Sequence, residues 1–394
     1  MPAPIRRQPT SEDFSRVIDI LSFEEFEIPR SQPISSFLDF PGYLAQQLDA
    51  YADYYTNCIK PYVDEVTLYE GGAEAPIEAK IKILTDGIKD TLTSYYKGKT
   101  FQAAQKFQDT LDAVGFIGLA SVETFQPNRI FYRARYSSKR HLAPKELFHN
   151  PFENRGIVAT SRYSIPGLPA LYLGDSTYVC WEELNQQDYR NLFFSKFRND
   201  EPLKVVKIQR LPDFINQLET RNVDHFERMT YLSRYLSLFP LTIACCIRTK
   251  ENSGHFKPEY VIPQFLLQYV TDKDKKDAAG IMYPSAKVNY HQIQDVAAYN
   301  YVFPIKDPQP WGYCSDLVNS FSLTDPTSLE LENLANFDAR RGLNEQERHE
   351  YFSRPRRIAV ANGVGRAYLT TAFGFIERVL NEYEPAKLDS PMRG

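Results

Sequence analysis

The spacing of apolar residues changes near residue 125, and this change limits the folds open to the chain more than any other feature. Upstream, apolar side chains recur at helical spacing. Phe14, Val17, Ile18 and Leu21 follow the helix-start signal Ser11-Glu12-Asp13. "SSFLDFPGYLAQQLDAYADYYTNCIKPYV", "APIEAKIKILTDGIKDTLTSYY" and "TFQAAQKFQDTLDAV" repeat the pattern between Pro and Gly breaks, the last ending near Gly115. These helices read as a packing or partner-binding module. Downstream, "RIFYRARY" (Arg129 to Tyr136) alternates as a strand does, and "LKVVKIQRL", "AAGIMYPSAKV" and "NYVFPI" are further strand candidates. "DHFERMTYLSRYLSLFPLTIACCI" reads as a helix running into a buried strand. Strands and helices interleave without a regular βαβ repeat, which predicts α+β rather than a doubly wound sheet. After Pro308 the chain turns helical and polar again, through to the apolar stretch "AYLTTAFGFIERVL". Three consecutive segments follow from this: a helical N-terminal domain over 1–120, a mixed domain over 121–310 and a helical C-terminal extension over 311–394.

A chain of 394 residues is long enough for two or three structural units and a sizeable core. Its net charge of −4 supplies no global attraction to nucleic acid or to an anionic membrane, so neither is expected as a partner. The five cysteines include the adjacent Cys245 and Cys246 and form no Cys-x-x-Cys pair, which argues against a disulfide framework or structural zinc. The six histidines lack close metal-ligand spacing, so no metal is expected. The opening "MPAPIRRQPTSEDF" has no apolar run after its basic residues and does not read as a signal peptide. A cytoplasmic protein is the expectation.

The stretch "SIPGLPALYLGDSTYVCWEEL", Ser164 to Leu184, carries the strongest hint of chemistry. An apolar strand ending in Tyr172-Leu173 breaks at Gly174-Asp175 and leads into a helix capped by Asp175 or Ser176. At 100° per residue Val179, Cys180 and Leu184 form the apolar stripe. Glu183 falls between Val179 and Cys180 on that wheel, while Glu182 lies outside it and is expected to face water. A carboxylate turned inward needs a partner, because burying it alone is costly. A Glu–Arg pair locking the corner and a glutamate serving a ligand both meet that need. Tyr172 sits at the same mouth. Arg133, Arg135, Arg155 and Arg162 lie upstream, and a guanidinium fork suits a pyrophosphate.

In combination these segments resemble the RES-domain family, named for its Arg, Glu and Ser residues. The resemblance rests on Phe131-Tyr132-Arg133, on Ser161-Arg162-Tyr163-Ser164-Ile165-Pro166-Gly167, and on Pro-x-Leu-Tyr-Leu with a glutamate eleven residues after its tyrosine. Ser285 in "GIMYPSAKV" and the closing "NYVFP" complete it, over about residues 125–310. Gly-Arg-Trp of many members reads Ser161-Arg162-Tyr163 here, and a common Ala is Cys180. The resemblance implies an ADP-ribosyltransferase-like RES domain with a mixed β-sheet, flanked by the helical regions. It also implies a toxin-like or defence effector that degrades NAD+, as substrate and not as cofactor, at the nicotinamide–ribose bond. Glu183, Arg133 and Ser285 are the implied catalytic residues, and Arg162, Tyr172 and Tyr163 the implied substrate-binding ones. An antitoxin or regulatory protein and a second copy of the chain are candidate partners.

Rival readings are a protein ADP-ribosyltransferase, a non-enzymatic interaction scaffold, and an RNase of the HEPN type drawing on Arg135 and His141 in "RYSSKRH". "IAVANGVGRAYL" has Gly363 and Gly365, but Tyr368 stands where the dinucleotide fingerprint needs Gly or Ala. That stretch is expected to open a final helix.

Overall fold

A computed structural model describes residues 9–21, 26–33, 36–63, 76–250, 255–272, 274, 277–335, 357–359 and 365–388. The chain divides into two compact units, one of residues 1–122 and 206–277 and the other of 123–205 and 278–394. The fold is α+β. The units do not follow three consecutive segments of sequence. Residues 206–277 join the N-terminal helices, and residues beyond 310 belong with the strands.

In the first unit, helix Ile77–Tyr96 buries Ile77, Ile81, Leu84, Ile88 and Leu92, a stripe at helical spacing. It packs against helix Thr100–Val114, which buries Ala103, Phe107, Leu111 and Val114, and against helix His225–Cys245. This last helix corrects the expected helix-then-strand reading, since it runs unbroken through Pro240. Pro240 cannot donate to the carbonyl of Leu236, four residues earlier. The Tyr51 hydroxyl donates to that carbonyl instead, at 2.7 Å, and so makes up the missing helical bond. "EYVIPQFLLQYV" is also helical, over Val261–Thr271. No helix among the described residues is long and apolar enough to cross a membrane.

The strands, in chain order, are β1 (Val122–Phe125), β2 (Ile130–Tyr136), β3 (Ala170–Gly174), β4 (Leu192–Asn199), β5 (Leu203–Lys207) and β6 (Gly280–Pro284). They continue with β7 (Ile293–Gln294), β8 (Tyr299–Pro304), β9 (Phe321–Leu323), β10 (Arg357–Ala359), β11 (Gly365–Ala367) and β12 (Ala386–Lys387). A nine-stranded sheet has the order β1-β5-β6-β8-β3-β2-β4-β9-β12. From β6 to β12 its pairings are antiparallel. One face carries Phe131, Leu171, Leu173, Phe197, Met282, Tyr301 and Phe303, which form the apolar core with Phe321 from β9. By alternation, Tyr132, Tyr172, Gly174, Tyr283, Asn300 and Val302 lie on the opposite face. Tyr132 there meets Cys180, Leu192 and Phe194 and the C-terminal helix Ala372–Glu382 through Ile376 and Leu380.

The C-terminal region is not purely helical. Phe321–Leu323 and Ala386–Lys387 extend the sheet, and their two or three residues are too short to show a period in the sequence. "IAVANGVGRAYL" does not open a helix either, because Gly365–Ala367 pairs antiparallel with Arg357–Ala359. The final helix starts later, at Ala372, where the Thr371 side chain accepts from the Gly374 amide at 3.3 Å.

Candidate functional site

The corner after β3 is built from its backbone outward. Gly174 pairs with Tyr132 on β2 and with Asn300 on β8. A Cβ at Gly174 would lie 3.1 Å from Cys180 Sγ and 3.4 Å from Val179 Cγ1, so glycine is what lets the following helix, Thr177–Glu183, close onto the strand end. Ser176 is the helix cap, accepting from the Val179 amide at 3.2 Å. Asp175 instead accepts from the Tyr301 hydroxyl at 2.5 Å and lies 3.6 Å from Arg129. Burial raises the Asp175 carboxyl, with Tyr301 and Arg129 opposing the shift. From the C-terminal helix, buried Glu377 accepts from the Thr177 amide at 2.8 Å and from the Tyr368 hydroxyl at 2.5 Å, which pins the first turn of the corner helix.

At the other end of that helix, two neutral donors converge on one oxygen of Glu183. Ser285 Oγ and Asn300 Nδ2 each donate to Oε1 at 2.6 Å. Ser285 accepts in turn from the amides of Lys287 and Val288, at 3.2 and 3.4 Å, which fixes its hydroxyl for donation. Lys287 Nζ donates to the Glu183 carbonyl at 3.2 Å and to the Asn185 side chain. No arginine among the described residues meets Glu183, and none of those residues donates to Oε2. The carboxylate is therefore held through one oxygen. Sequence reasoning singled out Glu183 and Ser285 but missed Asn300 as the second donor. Its signal was a polar residue inside the apolar strand "YNYVFP", where a buried amide must find a partner.

Glu182 differs from expectation. It is 8 % exposed rather than facing water, and it accepts from Gln186 Nε2 at 3.1 Å. Tyr178 lies against it, and the Tyr178 hydroxyl is raised by burial first and by Glu182 second. A wheel drawn on one stripe misses this, because the seven-residue helix is packed on more than one side.

A second group gathers around Tyr172. Its hydroxyl lies 2.9 Å from Ser164 Oγ and accepts from the Tyr163 amide at 3.3 Å. The Tyr163 ring packs on Tyr283 of β6, with centroids 4.5 Å apart. Ser161 and Ser164 form a tight antiparallel bridge, and Arg162 within that turn is buried. Tyr283 and Gly174 are both register partners of Asn300, so the Tyr172 group and the Glu183 group share one sheet face. Arg133 leaves β2 on the face of Phe131. β2 and β3 pair only at Tyr132 and Gly174. Where they splay, Arg133 Nη1 donates to the Tyr172 carbonyl at 2.8 Å in place of a ladder bond. Burial pushes the Arg133 guanidinium down to about 10, with Cys180 opposing and Arg135 adding to the shift, so it stays protonated at neutral pH. This bracing contact was not legible in the sequence.

The remaining candidates lie apart from these groups. Arg135 is exposed and donates to the Glu146 carbonyl at 2.5 Å, and His141 is exposed in a loop. The pair thus sits on a strand and a loop, not on the helices of a HEPN arrangement. Arg155 lies over the Phe152 ring, 5.3 Å from its centroid. Cys180 donates to the Tyr132 carbonyl at 3.3 Å, and burial raises its thiol well above the ordinary value, which suits packing rather than attack. No group of three or more His, Cys, Asp or Glu among the described residues is placed to hold a metal ion.

No family model matches the chain. No solved structure matches it. The chain is 34 % identical over 261 residues to a Bacillus subtilis (strain 168) protein named "Putative toxin YopC". The alignment takes in 64 % of this chain and 59 % of that protein, so the chain spans less than two thirds of its relative.

Proposed function

We propose that the chain is a toxin-like effector that cleaves the bond between nicotinamide and ribose in NAD+. The carrying observation is the carboxylate of Glu183, fixed through Oε1 by Ser285 and Asn300 at 2.6 Å, with no donor to Oε2 among the described residues. Nicotinamide leaves as a neutral group, so its departure needs no proton from the protein. The transition state is instead cationic at the ribose. A carboxylate held in advance stabilises that charge without reorganising, and its other oxygen orients the attacking nucleophile. Ser285 and Asn300 keep the carboxylate aimed. Half-buried Tyr172 packs against the nicotinamide–ribose end, with the buried Tyr163 ring, held on Tyr283, as its support. Arg162 is assigned to the pyrophosphate, while Arg133, on the face of Phe131, braces the strand that carries Tyr172. The toxin in the relative's name and the motif resemblance support the reading.

The test is to incubate purified protein with NAD+ and identify the products by chromatography. Free nicotinamide with ADP-ribose marks hydrolysis, and its phosphorylated counterpart in phosphate buffer marks phosphorolysis. Nicotinamide release that labels an added protein would favour the ADP-ribosyltransferase reading. NAD+ left intact would overturn the proposal and favour the scaffold.

A further inference from the structure

The first unit contains a cavity of about 280 Å³ that the sequence did not suggest. Its size approaches the lower end of small-molecule pockets, roughly 300 Å³. Three cations line it: Lys207, Arg221 and Arg234. No carboxylate is among the residues lining it, so the cavity carries a net positive field. Both arginines lie over the Tyr231 ring, Arg221 at 5.2 Å from its centroid and Arg234 at 6.0 Å. Phe214 and Tyr235 stack at 4.3 Å and give the cavity a flat aromatic wall.

A buried polar group, Gln209, 7 % exposed, comes from the segment that follows β5. Its Nε2 donates to Gln217 Oε1 at 3.1 Å, and Lys207 Nζ donates to the same oxygen at 2.8 Å. Gln209 Oε1 has no partner. A buried acceptor left unmatched is unfavourable, and it keeps this side of the cavity polar.

We propose that this cavity binds a nucleoside monophosphate. The class follows from two requirements in one small volume: a flat ring for the Phe214–Tyr235 wall and a compact dianion for Arg221 and Arg234. Free phosphate lacks the ring, and a bare nucleoside lacks the anion. A dinucleotide is too large for the volume. The site stands independently of NAD+ cleavage, which is assigned to the other unit.

The test is titration calorimetry of the full chain with AMP, and with adenosine, ribose 5-phosphate and inorganic phosphate as separate probes. Saturable binding of AMP is expected, with each partial probe weaker by roughly tenfold or more. Arg221→Gln and Arg234→Gln change exposed or half-exposed side chains and leave the fold intact by circular dichroism. Each should weaken AMP by roughly tenfold. Absence of AMP binding, or binding of equal strength in both arginine variants, overturns the proposal. Nicotinamide release measured in parallel distinguishes its failure from failure of the catalytic reading.

Discussion

Replacing Asn300 by aspartate keeps the shape at the Glu183 carboxylate and reverses the chemistry. The Asn300 amide donates to Glu183 Oε1 at 2.6 Å, and the introduced acid would set a second carboxyl in that place. Two carboxylates at that separation repel by about 6 kcal/mol at an effective dielectric of about 20, and by about 4 kcal/mol if they relax to about 4 Å. At 1.36 kcal/mol per pKa unit, that raises the upper pKa of the pair by roughly 3 to 4 units, to about 7 or 8. The pair therefore holds one proton at mildly acid pH, and the protonated member can still donate to its neighbour. The upper pKa is raised above the unfolded value, so the stability it contributes is present at low pH and is lost as pH rises through the folded value. Asn300→Asp should release nicotinamide best near pH 6 and lose activity above about pH 7, a limb absent from wild type. Its melting temperature should fall relative to wild type as pH rises from about 4 to about 8. A variant that follows the wild-type profile in both activity and melting would show that Asn300 does not touch Glu183.

Three further outcomes follow from the same packing. His149 is 1 % exposed; its Nε2 accepts from the Cys314 amide at 3.0 Å and its Nδ1 donates to the Asn150 carbonyl at 2.8 Å, so the ring is neutral. Burial lowers its pKa to about 4, so the unfolded chain binds its proton first and stability falls as pH drops from 6.5 toward 4. The loss should reach about 2 kcal/mol at pH 5, measured by urea unfolding, and His149→Gln should flatten it. At Gly280 a Cβ would stand 2.1 Å from the Val302 carbonyl oxygen, so Gly280→Ala must push β6 from β8, at a cost of roughly 1–3 kcal/mol and a melting temperature lower by several degrees. Glu377→Leu strands the Thr177 amide and the Tyr368 hydroxyl, and should cost roughly 2–5 kcal/mol in the same unfolding assay.

Local signals in the sequence were enough to place much of the fold. Helical stripes in Ile77–Tyr96 and Thr100–Val114 and alternation in β2 depend on nearest neighbours, and they were legible. What escaped notice depends on partners far along the chain. Pro240 signals a break unless one knows that Tyr51 serves the carbonyl of Leu236. β9 and β12 are too short to announce themselves, and the Phe321 ring finds its place only against Phe303 and Phe131. At the site, the wheel placed Glu183 on the inner side but could say nothing of Asn300, which lies 117 residues away. Glu182 was assigned to water because the wheel does not see what packs beyond the stripe.

The central claim is tested most directly by comparing wild type with Glu183→Gln, measuring NAD+ affinity and the rate of nicotinamide release on the same preparations. An amide accepts the bonds from Ser285 and Asn300 but carries no charge to set against a cationic ribose. The account predicts affinity within a few fold of wild type and a rate lower by roughly a hundredfold or more. A variant that releases nicotinamide at the wild-type rate would contradict it.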